Sequence, residues 1–241
     1  MARVFLNQVH QSGIRFSNCH SGHVEITWSI VLAAGSGSRF GGNKQNAMLG
    51  HRRVVEWSVA AAGSCCDGVV LVANPETVND AVTADAEIVV AGGRSRSQSV
   101  RKGLEAVPPE ATIIVVHDAA RPGASTNLYR AVIEAVKAGA DAAVPALPVV
   151  DTLKRVVETP NGIKVKETVD RADLMAIQTP QAFKRQILEA AHESGDEATD
   201  DAGLVEAVGG SVNIIPGELA AIKITTPQDL DIAAELMGLI S

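Results

Sequence analysis

Short, uninterrupted apolar runs alternate with amphipathic stretches through most of the chain. Ile30 to Leu32, Gly68 to Ala73, Glu87 to Ala91, Thr112 to Val116, Asp141 to Val149, Ser211 to Pro216 and Ala221 to Thr225 read as strands. Continuous apolarity is what strands covered on both faces require. Between them, Arg53 to Ser64, the region near Thr77 to Ala84, Ser97 to Val107, Thr126 to Ala138, Lys184 to Ser194 and Ala198 to Gly209 carry the spacing or the end signals of helices. Thr199 or Asp200 is the expected N-cap of the last of these. A final helix opens at Thr226-Pro227, a capping threonine followed by a first-turn proline. Strands separated by single helices predict an α/β fold, a Rossmann-like, mostly parallel twisted sheet with helices on both faces and right-handed crossovers. Ligands of such sheets bind beyond the carboxyl ends of the strands.

One segment departs from this pattern. From Thr152 to Val169 the residues alternate with period two around Pro160-Asn161-Gly162, a hairpin signal. Its charged side makes it poor core and good interface, so it predicts a projecting β-hairpin arm, about residues 150–172, that crosses to the second subunit of a homodimer. A solvent-exposed flap is the plainer alternative. Residues 1–23 are polar and read as an N-terminal extension of unknown role, leaving 24–241 as one domain. The extension's His10, His20 and His23 match no named metal-ligand spacing, so a solvated arm is expected there.

Composition narrows the function. With 241 residues and 46% hydrophobic content the chain can bury one large core, and its formal net charge of −7 argues against a general nucleic-acid binder. Its cations must be focused rather than spread. Cys19, Cys65 and Cys66 supply neither a disulfide framework nor zinc spacing, which suits a reducing cytoplasm. No apolar run is long enough to cross a bilayer and the opening residues lack a signal-peptide core, predicting a protein neither exported nor anchored.

The chemistry gathers at the strand ends. After Ile30 to Leu32 comes a loop of small residues, Ala33, Ala34, Gly35 and Gly37, flanked by Arg39 and Lys44. Bare N–H groups beside fixed cations suit a phosphate chain. Position 40 is Phe40, which excludes the dinucleotide fingerprint, and Lys44 is followed by Gln45, which excludes the nucleotide P-loop. A tight turn without a ligand is the alternative reading of the glycines alone. Gly92 to Ser99 (GGRSRSQS) could line the same crevice or simply cap a helix with Ser95, Ser97 or Ser99. Val115 to Pro122 (VVHDAARP) delivers Asp118 and Arg121 to the crevice. A strand-end carboxylate can hold Mg²⁺ or a sugar hydroxyl, and an arginine can fork a phosphate, although the two could instead pair with each other. Asp200 and Asp201 read as helix-start acids, with metal within their reach as the alternative. Lys223, inside the apolar run Ile222 to Ile224, is expected to face a cleft.

Eight motifs in order, LAAGSGSR, Lys44-Gln45, GGRSRSQSV, VHDAARP, Asp151 to Lys154, Arg171 through QTPQAF, TDDA and IKITTPQDL, resemble the 2-C-methyl-D-erythritol 4-phosphate cytidylyltransferases of non-mevalonate isoprenoid biosynthesis. The resemblance runs from about Val24 to Gly238. It implies that Ala33, Ala34, Gly35 and Gly37 hold the CTP phosphates, with Arg39 and Lys44 stabilising the triphosphate and the charge that builds during transfer. It implies further that Gly93 and Ser99 contact cytosine, and that Asp118 and Ala119 serve the ribose side and the Mg²⁺ region. Arg121, Thr152 and Lys223 would bind the methylerythritol phosphate, with Arg171 and Thr179 from the neighbouring subunit's arm region of a homodimer. Three positions differ from the family's usual residues: Asn43 stands for proline, Asn46 for an aromatic residue, and Ala221 for asparagine.

The reaction so implied is in-line attack of the acceptor's phosphate on the α-phosphorus of CTP, with pyrophosphate leaving. The nucleophile is already mostly dianionic at neutral pH, since a phosphate monoester has a second pKa of about 6, so no general base is required. Positioning and cations such as Arg39, Lys44 and Lys223 then carry the catalysis. Another polyol-phosphate cytidylyltransferase, such as one acting on ribitol 5-phosphate, and a catalytically silent nucleotide-binding protein are the alternative readings.

Overall fold

The computed structural model describes residues 25–35, 37, 40–42, 44–76, 78 and 86–240. Arg39, Asn43, the N-terminal extension and the helix expected near Thr77 to Ala84 lie outside the described residues, except position 78. In chain order come β1 (Thr27–Ala33), a 3-10 turn (Lys44–Asn46), β2 (Met48–Leu49), β3 (Arg52–Arg53), α1 (Val54–Gly63), β4 (Gly68–Ala73), β5 (Ile88–Ala91), α2 (Arg96–Ala106), β6 (Ile113–Asp118), α3 (Thr126–Lys137) and β7 (Ala142–Pro148). Then follow β8 (Leu153–Thr159), β9 (Gly162–Val169), β10 (Met175–Ile177), β11 (Gln181–Lys184), α4 (Arg185–Glu193), α5 (Asp201–Ala207), β12 (Val212–Pro216), a second 3-10 turn (Leu219–Ala221) and α6 (Gln228–Leu236).

Alternation along the central strands builds the layers. Val31, Val69, Leu71, Ile113 and Val115 point to one face of the sheet, where α1 and α3 cover them with Val55, Val59, Leu128 and Tyr129. Their neighbours Ile30, Val70, Val72, Ile114 and Val116 point to the other face, under Val100 and Leu104 of α2, Leu188 of α4 and Val205 of α5. Each fully buried side chain of this kind contributes about 1.5–3 kcal/mol. The main sheet runs β10-β7-β11-β6-β1-β4-β5, with β12 also on β7. β1 pairs in parallel with β4 and β6, β4 with β5, and β7 with β12. β10 and β11 run antiparallel to their neighbours, so the sheet is mixed but mostly parallel. α2 lies close on β1, because a Cβ at Gly103 would stand 2.5 Å from Ile30.

Two expectations are corrected. Ala221 to Thr225 is not a strand: the 3-10 turn ends at Ala221, and an irregular strap follows. Its polar groups bond to loops rather than to a neighbouring strand, with the Ile224 N–H donating to Ala120 O at 2.8 Å and Lys44 Nζ donating to Ile224 O at 2.8 Å. The apolar residues that suggested a strand belong to a small cluster under α6, where Ile224 is fully buried and Ile222 partly so. Nor does Thr226 cap α6. Pro227 occupies the N-cap position, and Asp229 reaches back from the first turn to accept the N–H groups of Thr225 and Thr226, each at 2.7 Å.

β8 and β9 form a separate two-stranded ladder outside the main sheet. Val156 pairs with Val165 across it, and Ile163 falls on the same side two residues on. All three are more than half exposed, at 52%, 62% and 70%.

Candidate active site

The site lies where β1, β5 and β6 end. The β1 loop begins with Ala34 and Gly35, and Gln45 braces it by donating from Nε2 to Gly35 O at 3.3 Å. Gly37 has φ +64, and a Cβ there would stand 2.2 Å from Gly42 O, so the loop folds back on itself only with glycine at this point. After β5, Gly93 donates its N–H to Ser99 Oγ at 3.1 Å, while Ser95 caps α2 by accepting the Gln98 N–H at 3.1 Å. Of the three serines considered as caps, only Ser95 has that role in the described structure. Ser97 is buried and accepts the Ala198 N–H at 3.3 Å. The first turn of α2, with its partial positive charge, thereby borders the crevice.

Two cavities share this region. The first, about 400 Å³, is lined by Ala34, Gly35, Lys44, Gln45, Gly93, Arg94, Ser95, Arg96, Ser99, Asp118, Ala120 and Lys223. The second, about 460 Å³, adds Arg121, Ile177, Thr179, Gln181, Thr199 and Asp200. Arg96, Asp118 and Lys223 line both.

Asp118 is the hinge of the arrangement. Its Oδ2 accepts from Lys223 Nζ at 2.7 Å, and its Oδ1 lies 3.4 Å from Arg96 Nε. Burial opposes the charged form, but the Arg96 and Lys223 cations beside it hold the carboxyl well below the usual carboxylate range. The expected alternative of an Asp118–Arg121 ion pair is not what the fold forms. Arg121 instead donates from Nη1 to Ala221 O at 2.8 Å and from Nη2 to Ile177 O at 3.5 Å, and so helps to hold the strap that carries Lys223.

Thr179 is also bonded to this chain's own Asp118. The resemblance assigned it to the neighbouring subunit's arm region, yet its Oγ1 accepts the Asp118 N–H at 3.0 Å. The same oxygen lies 3.2 Å from His117 Nδ1, where it can donate. His117 is sealed, and burial pushes its pKa down to about 3, against the opposing pull of Asp118. A neutral imidazole therefore supports the threonine.

Of the other residues singled out in the sequence, Ala33 is buried at the end of β1 and Ala119 is fully buried, its N–H donating to Leu32 O at 3.0 Å. Neither these two nor Gly37 lines the cavities. Thr152 and Arg171 lie exposed at the base of the hairpin and line neither cavity of their own chain, whereas the resemblance placed Thr152 at its own chain's acceptor site and only Arg171 at the neighbour's; Arg171 donates to Val150 O. Asp200 is the N-cap of α5, accepting the Gly203 N–H at 3.1 Å. Asp201 is fully buried between Arg96 and His192. Sequence reasoning missed Arg96 as a specific site residue, although the alternating Ser and Arg of GGRSRSQS marked its loop. Among the described residues no cluster of three or more His, Cys, Asp or Glu side chains is arranged to hold a metal ion.

The sequence and the fold both match one family. A profile for IspD, 2-C-methyl-D-erythritol 4-phosphate cytidylyltransferase, matches residues 27–238. The chain is 41% identical over 229 residues to the Streptomyces avermitilis 2-C-methyl-D-erythritol 4-phosphate cytidylyltransferase, covering 88% of this chain and 92% of that protein. It is 42% identical over 223 residues to a bifunctional enzyme IspD/IspF of Clavibacter michiganensis, covering 87% of this chain and 54% of the relative, so it spans about half of that protein's length. The crystal structure of the Thermus thermophilus 2-C-methyl-D-erythritol 4-phosphate cytidylyltransferase superposes with a TM-score of 0.73 at 34% identity, over 86% of this chain and 96% of that one. The chain belongs to the 2-C-methyl-D-erythritol 4-phosphate cytidylyltransferase family.

Proposed function

We propose that this protein transfers the cytidylyl group of CTP to 2-C-methyl-D-erythritol 4-phosphate. An oxygen of the acceptor's phosphate attacks the α-phosphorus in line, the bond from that phosphorus to the bridging oxygen of pyrophosphate breaks, and pyrophosphate leaves with the electron pair. The products are 4-diphosphocytidyl-2-C-methyl-D-erythritol and pyrophosphate. The observation that carries this reading is the meeting of two cavities at Asp118, Lys223 and Arg96, with the glycine loop beside one of them and Arg121 and Thr179 beside the other.

In this reading the first cavity takes CTP. Backbone groups of Ala34 and Gly35 bind the phosphates within a turn that Gly37 shapes, Lys44 and Arg39 balance their charge, and Gly93 and Ser99 serve the nucleoside. The second cavity takes the acceptor, with Arg121, Thr179 and Lys223 around its phosphate. Two anions must approach within bonding distance, so a fixed ammonium between them lowers the barrier without any proton transfer. Because Lys223 is held by Asp118 before substrate arrives, little reorganisation is needed at the moment of reaction.

Asp118 is the protein group suited to Mg²⁺. Magnesium ions take one or two carboxylates together with substrate phosphates and waters, and Asp118 is the carboxylate among the described residues lining the first cavity. Its long contact to Arg96 leaves acceptor capacity on Oδ1. When bound, the ion would neutralise part of the triphosphate charge.

The same reading makes the protein a homodimer. Val156, Val165 and Ile163 offer an exposed apolar face on the hairpin, and Thr152 and Arg171 at its base would reach the partner's acceptor cavity. The thiols of Cys65 and Cys66 are free, which suits a reducing cytoplasm. No helix among the described residues is long and apolar enough to cross a membrane.

Phosphorus NMR of a reaction holding the protein, CTP, Mg²⁺ and methylerythritol phosphate tests the proposal. It predicts the paired resonances of a diphosphate linkage in the new product alongside free pyrophosphate. Consumption of CTP to CMP or CDP without a linked product would reject it.

A further inference from the structure

Behind Asp118, the ends of three helices meet in a connected run of polar contacts. His192, in the last turn of α4, places Nε2 3.0 Å from Asp201 Oδ1. Asp201, in the first turn of α5, accepts from Arg96 Nη1 at 2.7 Å through Oδ2. Arg96 opens α2 and turns its Nε towards Asp118 Oδ1 at 3.4 Å, and Asp118 Oδ2 accepts from Lys223 at 2.7 Å. Asp201 has no exposed surface, and both of its oxygens are taken.

We propose that Arg96, clamped by Asp201, is a positioning residue for cytidylyl transfer, setting the Asp118 carboxylate and through it the Lys223 ammonium where the two cavities meet. The inference rests on the function proposed above. A guanidinium suits this task because its planar fork spans two carboxylates at once, whereas the point charge of a lysine cannot hold both directions. Asp201 in turn cannot swing aside, since His192 occupies its other oxygen. Without the Arg96 contact Asp118 can rotate about its side chain and carry Lys223 with it, and a displacement of about 1 Å at a reacting centre can cost roughly 10²-fold in rate.

Arg96→Lys and Asp201→Asn test the idea, with kcat measured by pyrophosphate release and CTP affinity by titration calorimetry. Arg96→Lys keeps the charge, so the expected result is a fall in kcat of about 10- to 100-fold, while the Kd for CTP stays within about twofold. Asp201→Asn should move both quantities the same way. Should Asp201→Asn not fold, Arg96→Lys with Lys223→Ala in a double-mutant cycle decides: Arg96→Lys should cost less than about twofold once Lys223 is gone, because it acts through that side chain. Unchanged kcat in Arg96→Lys, full additivity in the cycle, or a large rise in the CTP Kd with kcat retained would each overturn the proposal. An active wild-type protein with unaffected variants removes this inference alone; a wild-type protein that transfers no cytidylyl group removes the proposed function and this inference with it.

Discussion

Lys223 Nζ stands 2.7 Å from Asp118 Oδ2, joining a strap near the end of the chain to the carboxyl end of a central strand 105 residues earlier. The strap is fixed on either side of the lysine, by Arg121 on Ala221 O and by Lys44 on Ile224 O. Lys223→Ala should therefore leave the fold and the CTP cavity in place and remove charge stabilisation between the two phosphates. Steady-state pyrophosphate release should show kcat lowered by about 10²–10³-fold, the range seen for loss of one such group. A near-normal kcat would contradict the role given to Lys223.

Gly37 offers a test of the nucleotide loop. Its φ of +64 and the 2.2 Å approach of Gly42 O to a built Cβ mean that Gly37→Ala must reshape the turn. A left-handed backbone costs a non-glycine residue about 1–2 kcal/mol, so CTP should bind about tenfold more weakly by titration calorimetry. The thermal midpoint should move little, because the loop lies outside the main apolar clusters. Unchanged CTP affinity would show that the loop does not hold the nucleotide.

Protonation of His117 links stability to pH. Burial lowers its folded pKa to about 3 from the ordinary histidine value of 6.5, so the unfolded chain binds the extra proton first as pH falls. The contribution to stability is full above about 6.5 and is lost as pH drops towards about 3, at about 1.4 kcal/mol per pH unit. Denaturant unfolding at pH 7 and pH 5 should show wild type losing about 2 kcal/mol more than His117→Gln over that interval. Equal losses would mean that the imidazole is protonated in the folded state.

The hairpin predicts the assembly state. Replacing Ile163 and Val165 with lysine puts charge on the exposed apolar side of the β8–β9 ladder without touching the main sheet. Sedimentation velocity should show a dimer for wild type and a monomer for the double variant, with methylerythritol phosphate turnover reduced because Thr152 and Arg171 no longer reach a partner. A variant that stays dimeric would locate the interface elsewhere.

Much of this was legible in the chain because local chemistry and global position agree. The apolar runs of β1, β4 and β6 are central strands, and the small residues after β1 form a turn beside a cavity. Where a local pattern served something other than the sheet, sequence reasoning failed. Ile222 and Ile224 look like strand residues because they are apolar, but they pack beneath α6 while the Ile224 backbone bonds to Ala120 and Lys44. Pairing of Arg121 with Asp118 was the alternative that their closeness in sequence suggested, yet the fold brings Arg96 and Lys223 to the carboxylate instead. No spacing rule reports pairings over such separations. The clamp of Asp201 on Arg96 was hidden for the same reason, and because an acid at the start of a helix is already explained by the helix dipole.

Substrate choice at the paired cavities is decided by pyrophosphate release from the wild-type protein with CTP, UTP, ATP and GTP in turn, each with 2-C-methyl-D-erythritol 4-phosphate and with ribitol 5-phosphate. Rapid release is expected only with CTP and methylerythritol phosphate. Preference for ribitol 5-phosphate, or tight CTP binding with no pyrophosphate released by either acceptor, would contradict it.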